Sequence, residues 1–538
     1  MKTVKIYDTT LRDGTQSEEI NLSVQDKIRL TIKLDELGIH YIEGGWPGSN
    51  PTDEEFFNEI KNYNLKTAKV AAFGSTHNVR TTPEKDKNLN ALIKSKAKAL
   101  TIFGKTWDFH VTEALGIKLD RNLELITNSL SYLRSQVEDL FFDAEHFFDG
   151  FKNNSEYALS CLKAAVAGGA DILVLCDTNG GTLPNEVAEI IREVKKNIPE
   201  AQLGIHAHND CELAVANSIT AVENGAVQIQ GTMNGYGERC GNANICSIIP
   251  NLDLKMGYKS IGKEKIAKLT EVSAYVAEIA NLRPFMRQPY VGQGAFAHKG
   301  GIHVSAVLKN TKTYEHVTPE EVGNTRRVLL SDLAGASNIL FKARQYGYDL
   351  AKDDPSVQTI LTEIKEREKM GYEYSVAEAS FELLFFKAMG WSKKYFEFVN
   401  FFVVDAKRRE DLEPFSEATV IVKVHGEESH TAASGQGPVN ALDGALRKSL
   451  EPFYPELKNV KLQDFKVRVL SGAVRSSDGT SANVRVLIES TDGKSQWTTM
   501  GVSNNIIEAS WQALVDSINY KLFKGDPQKW PKQNERTK

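Results

Sequence analysis

DILVLCDTNGGTLPNEVAEIIREVKKNIPEAQLGIHAHND (171–210) reads as a strand, a helix and a second strand in one pass. Its first run, DILVLCDT (171–178), is apolar almost throughout, as suits a strand buried on both faces. Val187, Ile190, Ile191 and Val194 then fall at helical spacing, and QLGIHAH (202–208) closes the unit. Outward from it the same pattern recurs. TVKIYD (3–8), IHYIEGG (39–45), TAKVAAFG (67–74), KALTIFG (98–104) and EDLFFDAE (138–145) precede it. Val215, Ile219 and Val222, again helical, lead to AVQIQGT (226–232). Eight strands alternating with helices over about 250 residues predict an α/β fold, a (β/α)8 TIM barrel, and we assign it to residues 1–275. A doubly wound open sheet would need a Gly-rich dinucleotide turn after the first strand, and TTLRDGTQ (9–16) is not one.

A chain of 538 residues exceeds one compact domain. The remainder divides into a helical linker and lid region (276–402), an α+β domain (403–525) and a polar tail (526–538). VGQGAFAHKGGIH (291–303) reads as a flexible loop reaching back over the barrel mouth. KEREK (365–369) reads as a solvated helix face. EATVIVKV (417–424), DFKVRVL (464–470), ANVRVLIES (482–490) and QWTTMGV (496–502) alternate like half-buried strands. One accompanying helix carries Val439, Leu442 and Leu446. The other carries Ile507, Trp511, Leu514 and Ile518, and Asn505 and Glu508 stand at capping-box spacing before it.

Composition excludes several classes. A net charge of −5 offers no basic bulk for nucleic acid or an anionic membrane. No apolar run approaches the roughly 20 residues of a membrane span, and MKTVKIYDTTLRDGTQ (1–16) has no signal-peptide core. Five scattered cysteines without a CxxC pair read as a reduced, cytoplasmic protein.

Polar residues gather at the C-terminal ends of the expected strands, where a barrel builds its site. Asp13, Glu43, Glu145, Thr178, His206, His208, Asn234 and Asn242 all fall there. Residues two apart on a strand share a face, so His206 and His208 can grip one divalent cation, with Asp13 as a carboxylate third ligand. A hydrogen-bonded pair of core histidines fits the same two residues. Arg12 offers a fork for a carboxylate, or forms an ordinary Arg–Asp surface turn with Asp13. Glu145 ends a run rich in phenylalanine, a setting suited to acid–base work, although a salt-bridged structural glutamate fits as well. Thr178 can donate to a substrate carboxylate or cap a helix. Asn242, in NGYGERCGNAN (234–244), can bring an amide oxygen near the metal. His303 and Tyr314 are candidate proton carriers, and either also fits a structural role.

DTTLRDGTQ (8–16), HAHND (206–210), NGYGERCGNAN (234–244) and GGIHVSAVLKN (300–310) together resemble the metal-dependent acyl-CoA condensing synthases, the family of 2-isopropylmalate, homocitrate and citramalate synthases. SGQGPVNAL (434–442) and GVSNNIIEASWQAL (501–514) resemble that family's regulatory dimer domain. EGGWPGSNPTDEEFF (43–57) and FFDAEHFFDGFK (141–152) are similar to the citramalate-forming branch, whereas 2-isopropylmalate synthases usually carry Ala-Gly-Phe-Pro-like residues where Gly44-Gly45-Trp46-Pro47 stands here.

The resemblance implies condensation of acetyl-CoA with pyruvate and water to (R)-citramalate and CoA, with 2-isopropylmalate synthesis as the alternative. It implies a divalent cation (Mn²⁺, Zn²⁺ or Mg²⁺) on Asp13, His206, His208 and Asn242. It also implies Arg12 on the developing oxyanion, Thr178 on the keto-acid carboxylate, and an acid–base set of Glu145, His303 and Tyr314. Phe73 and Phe103, at two strand ends, narrow the pocket for a methyl group and offer no charge for the second carboxylate a homocitrate synthase must bind. A homodimer with isoleucine as feedback inhibitor completes the expectation.

Overall fold

The computed structural model describes residues 2–330, 335–391, 393–407, 409–410, 413–470 and 482–526. Contacts divide the chain into two units, residues 1–296 with 316–326 and residues 297–315 with 327–538.

The first unit is the expected barrel. Its strands are β1 (Lys5–Asp8), β2 (Tyr41–Gly45), β3 (Lys69–Ser75), β4 (Ala99–Lys105), β5 (Asp139–Glu145), β6 (Ile172–Asp177), β7 (Leu203–Ala207) and β8 (Ala226–Gly231). They pair in sequence order, all parallel, and β8 closes on β1 with Lys5 opposite Gln228. Each strand feeds two cores, because alternate side chains face opposite ways. Tyr7, Tyr41, Phe141, Val174 and Cys176 fill the barrel interior. Ile6, Ile42, Phe142, Leu173 and Leu175 pack outward against the helices. Helix Pro184–Asn197 buries Val187, Ile190, Ile191 and Val194, the residues its spacing marks.

The second unit contains a short parallel pair, β9 (Ala297–His298) with β10 (Arg327–Val328), and helices Gly301–Lys309, Ala336–Gln345, Pro355–Met370 and Glu378–Ala388. Two antiparallel three-stranded sheets follow. One is β11 (Glu397–Ala406), β12 (Phe415–Val424) and β13 (Glu427–Gly435), followed by helix Pro438–Leu450. The other is β14 (Lys461–Val469), β15 (Val484–Thr491) and β16 (Gln496–Ser503), followed by helix Ile506–Gly525.

Two of these strands, β11 and β13, escape the alternation rule. β13 (EESHTAASG) has no large apolar residue, and its pairing with β12 carries it. β11 (EFVNFFVVDA) is apolar on both faces and bulged near Asn400. The expected capping box is half present. Asn505 Oδ1 accepts from the Ile507 and Glu508 amides at 2.8 and 3.2 Å, but the Glu508 carboxylate accepts from Gln512 instead of reaching back. Residues 527–538 of the expected tail lie outside the described residues. Among the described residues no helix is long and apolar enough to cross a membrane.

Candidate active site

The turn after β1 sets the first carboxylate. Thr9 donates to the Gly231 carbonyl, continuing the β1–β8 ladder, and Arg12 then bonds back to the Thr9 carbonyl, which carries Asp13 over the barrel mouth. His206 lies on β7, and His208 stands just past its end in an isolated bridge with Asn242. One ligand atom from each of Asp13, His206 and His208 lies within 4.8 Å of the other two, and all three residues are buried. A β-carbon at Gly237 would overlap the Asn242 amide, so the strap after β8 needs glycine there.

The electrostatics fit a cation. His206 Nε2 and Asp13 Oδ2 are 3.1 Å apart, two acceptors that call for a proton or a cation between them. Burial alone would raise Asp13, but the Arg12 charge and the hydrogen bond and charge of His206 hold it well below the usual carboxylate range. Burial works against a charged His206, and Asp13 overcomes it and raises this imidazole. Burial, then the His206 charge, lowers His208 to about 4, so it is neutral at pH 7, and its buried Nδ1 has no hydrogen-bond partner. Two imidazoles and a carboxylate suit a divalent cation and leave coordination positions for substrate. Asn242 Nδ2 donates to Asp13 Oδ2 at 2.8 Å, and its Oδ1 is buried without a partner. Turning that amide over would add Oδ1 to the donor set.

Behind the histidines runs a buried relay that the sequence reading does not include. His206 Nδ1–H donates to Gln230 Oε1 at 2.8 Å, and Gln230 Nε2 donates to Asp143 Oδ1 at 3.0 Å. The relay fixes the tautomer that leaves His206 Nε2 to the cation. Burial first, with Glu43 adding to it against the opposing pull of His206, pushes Asp143 up to about 7. Gln230→Leu removes the relay while keeping most of the volume. Mn²⁺ affinity of that variant is expected to fall by about 10- to 100-fold in isothermal titration calorimetry. An unchanged affinity would deny Gln230 this role.

The opposite wall is cationic and aromatic. Arg12 Nε donates to buried Glu43 Oε2 at 2.5 Å, and Tyr7 Oη donates to Glu43 Oε1 at 2.9 Å. The Arg12 guanidinium lies 3.8 Å over the Phe73 ring, and Phe73 stacks on Phe103 at 5.5 Å. Arg12, Phe73 and Phe103 share a cavity of about 240 Å³ with the Asp13–His206–His208 set, Glu145 and Thr178. Glu145 Oε2 lies 2.5 Å from Lys105 Nζ, because the β4–β5 register sets those residues side by side. Its partner is therefore an ammonium, whereas the phenylalanines before it serve the two cores. Thr178 does not cap a helix. Its Oγ1 accepts from the His146 amide at 2.9 Å, which leaves the hydroxyl hydrogen to donate elsewhere. Arg239, also outside the sequence reading, donates to Asp210 and to the Thr178 carbonyl beside the same cavity.

The barrel thus brings together Arg12, Asp13, Phe73, Phe103, Glu145, Thr178, His206, His208 and Asn242. Asn234 faces away and binds Ser273 and Gln288. His303 and Tyr314 belong to the second unit, where their rings stack at 4.1 Å.

Residues 3–276 match the HMGL-like family, residues 290–371 the homocitrate synthase post-HMGL domain-like family, and residues 375–522 the LeuA allosteric (dimerisation) domain. The chain therefore belongs to the acyl-CoA condensing acyltransferases of the 2-isopropylmalate, homocitrate and citramalate synthase family. It is 59% identical to the (R)-citramalate synthase of Geobacter sulfurreducens, over 98% of this chain and 99% of that one. It is 56% identical to the (R)-citramalate synthase of Aquifex aeolicus, over 97% of this chain and 98% of that one. Identity to the 2-isopropylmalate synthase of Methanocaldococcus jannaschii is 31%, over 97% of this chain and 95% of that one.

Proposed function

We propose that this protein condenses acetyl-CoA with pyruvate and water, releasing (R)-citramalate and CoA. Full-length identity above 55% to (R)-citramalate synthases carries the reading, and the small aromatic-walled cavity beside the Asp13–His206–His208 set supports it. A divalent cation (Mn²⁺, Zn²⁺ or Mg²⁺) on those three residues, with Asn242 turned toward them, supplies Lewis acidity for the keto and carboxylate oxygens of pyruvate.

The chain's own groups do the rest. Arg12, held by Glu43 and Phe73, aims its remaining N–H groups at the charge that develops on the keto oxygen. Thr178 donates its free hydroxyl hydrogen to the pyruvate carboxylate. Phe73 and Phe103 enclose the methyl group. Glu145 is the barrel's candidate acid–base group, and the family resemblance adds His303 and Tyr314 as further candidates; one such group takes a proton from the acetyl methyl and another returns one to the new alkoxide. Water then cleaves the thioester.

Release of free CoA thiol, followed in parallel with pyruvate, 2-ketoisovalerate and 2-ketoglutarate with and without Mn²⁺, tests the reading. Metal-dependent release with pyruvate alone is the expected result. Preference for 2-ketoisovalerate would transfer the assignment to 2-isopropylmalate synthesis.

In this reading the reaction opens a pyruvate-derived route to isoleucine in the cytoplasm, an environment in keeping with five free cysteines. Isoleucine is the expected feedback inhibitor through the LeuA-type domain. Titration of activity with isoleucine and leucine checks this, and silence toward both would remove the claim.

The same domain makes the homodimer. Phe398, Phe402 and Val404 of β11 and Val469 of β14 are each more than half exposed, an apolar surface in want of a cover. Phe402→Asp introduces a charge at both copies of a two-fold contact. Its dimer dissociation constant, measured by analytical ultracentrifugation, is expected to rise by at least about 30-fold. An unshifted constant would place the interface elsewhere.

A further inference from the structure

The aromatic end of the cavity has a third member outside the expected substrate-binding set. Trp46 follows β2 directly and lines the same space as the Asp13–His206–His208 set. Its ring meets Phe73 edge-on at 5.7 Å and 85°, and Phe103 at 5.7 Å and 84°. Phe73 and Phe103 are stacked on one another, so the indole closes the open edge of that stack.

Trp46 is also fixed at both ends. Its amide donates to Asp53 Oδ2 at 2.8 Å, and its indole Nε1 donates to Asn88 Oδ1 at 2.6 Å. Asn88 is itself held, with Nδ2 donating to the Ser75 carbonyl at 2.8 Å. Asp53 is held by a buried ion pair with Lys27, which also donates to the Gly44 carbonyl at 3.1 Å. Gly45 lies at φ +141, and a β-carbon there would overlap the Asp53 carboxylate, so the peptide entering Trp46 has little room to shift. The ring cannot swing outward without breaking the Asn88 bond.

A rigid wall and a soft wall differ in what they reject. A soft one yields to an extra methylene, whereas a fixed one transmits the clash as strain. We propose that Trp46 is a specificity-determining wall of the keto-acid pocket, clamped by Asn88 and Asp53 so that a 2-keto acid longer than pyruvate is excluded. The proposal rests on the reading of pyruvate as the keto acid.

The test uses the full-length wild-type, Trp46→Ala, Trp46→Phe and Asn88→Ala proteins. The probes are pyruvate, 2-ketobutyrate and 2-ketoisovalerate. Two quantities are measured: kcat/KM from CoA thiol release, and calorimetric affinity for each keto acid with Mn²⁺ but without acetyl-CoA.

One methylene in an apolar pocket is worth roughly 10- to 200-fold in discrimination. In Trp46→Ala the 2-ketobutyrate-to-pyruvate ratio of kcat/KM is expected to rise by at least about 10-fold. Trp46→Phe shifts the ratio less. Asn88→Ala, which keeps the ring but frees it, moves the ratio the same way through KM for the longer acid. A ratio in Trp46→Ala within about twofold of wild type would overturn the proposal. Should Trp46→Ala fail to fold, unchanged ratios in both Trp46→Phe and Asn88→Ala would overturn it equally. Wild-type protein that releases no CoA yet binds pyruvate ahead of 2-ketobutyrate, with that order lost in Trp46→Ala, would overturn the reaction and keep the wall. Wild-type protein that binds no keto acid would overturn both.

Discussion

Asp13→Ala is expected to bind no measurable Mn²⁺ and to retain about a thousandth of the parent turnover or less, a loss of roughly 4 kcal/mol in barrier height. The magnitude follows from where Asp13 sits. It supplies the only carboxylate of the donor set and lies 3.1 Å from His206 Nε2. Without it two neutral imidazoles remain beside the Arg12 guanidinium, an arrangement that repels a cation.

The fold is expected to survive, because Arg12 keeps its bond to Glu43. Metal binding, read apart from turnover, separates loss of the metal from general damage. Calorimetric titration with Mn²⁺ is expected to read a saturable heat of binding in the wild type. It is expected to read no heat of binding in Asp13→Ala. Near-normal turnover of chelator-treated Asp13→Ala would sink the account of the site.

What could be read in advance depended on the range of each signal. The barrel was legible because each strand carries its own apolar run and each helix its own period. His206 and His208 were legible because a spacing of two on one strand is local. The relay was not. Asp143 and Gln230 are single polar residues inside apolar strands, and their contact spans 87 positions. The face of β5 gave the available hint, since Asp143 alternates with Glu145 and must point the same way.

Glu145 admits two readings in sequence, an acid–base group or a salt-bridged glutamate, and only the fold supplies the salt bridge. Its neighbours in sequence are phenylalanines, but its neighbour in space is Lys105, supplied by the strand beside it. Trp46 was visible only as a marker of one branch of the family, because nothing local reveals that Asn88 and Asp53 clamp it. β13 was hidden for the same reason, its strand character coming from β12.

The Lys27–Asp53 pair yields the largest expected loss of stability. Their side chains are 5% and 6% exposed. Asp53→Ala strands the Lys27 ammonium with the Gly44 carbonyl as its remaining hydrogen-bond acceptor, and removal of one member of a buried pair costs about 3–5 kcal/mol. Burial already lowers Lys27 from its ordinary 10.5, and Asp53 opposes that pull, so loss of Asp53 drives Lys27 lower still.

The sign of the pH dependence follows. Between the lowered folded value and the ordinary one, the unfolded chain binds the extra proton, so stability rises with pH. The deficit of Asp53→Ala in urea unfolding is therefore expected to shrink as pH rises toward 10.5. The double variant Lys27→Met/Asp53→Leu removes both charges and is expected to recover most of the loss, since an apolar pair of similar volume often matches a buried ion pair. It does not restore the acceptor for the Trp46 amide. A double variant that regains stability but still admits 2-ketobutyrate would separate the two duties of Asp53, charge partner to Lys27 and clamp on the indole. A double variant as unstable as the single one would mean that the ion pair is not the source of the loss.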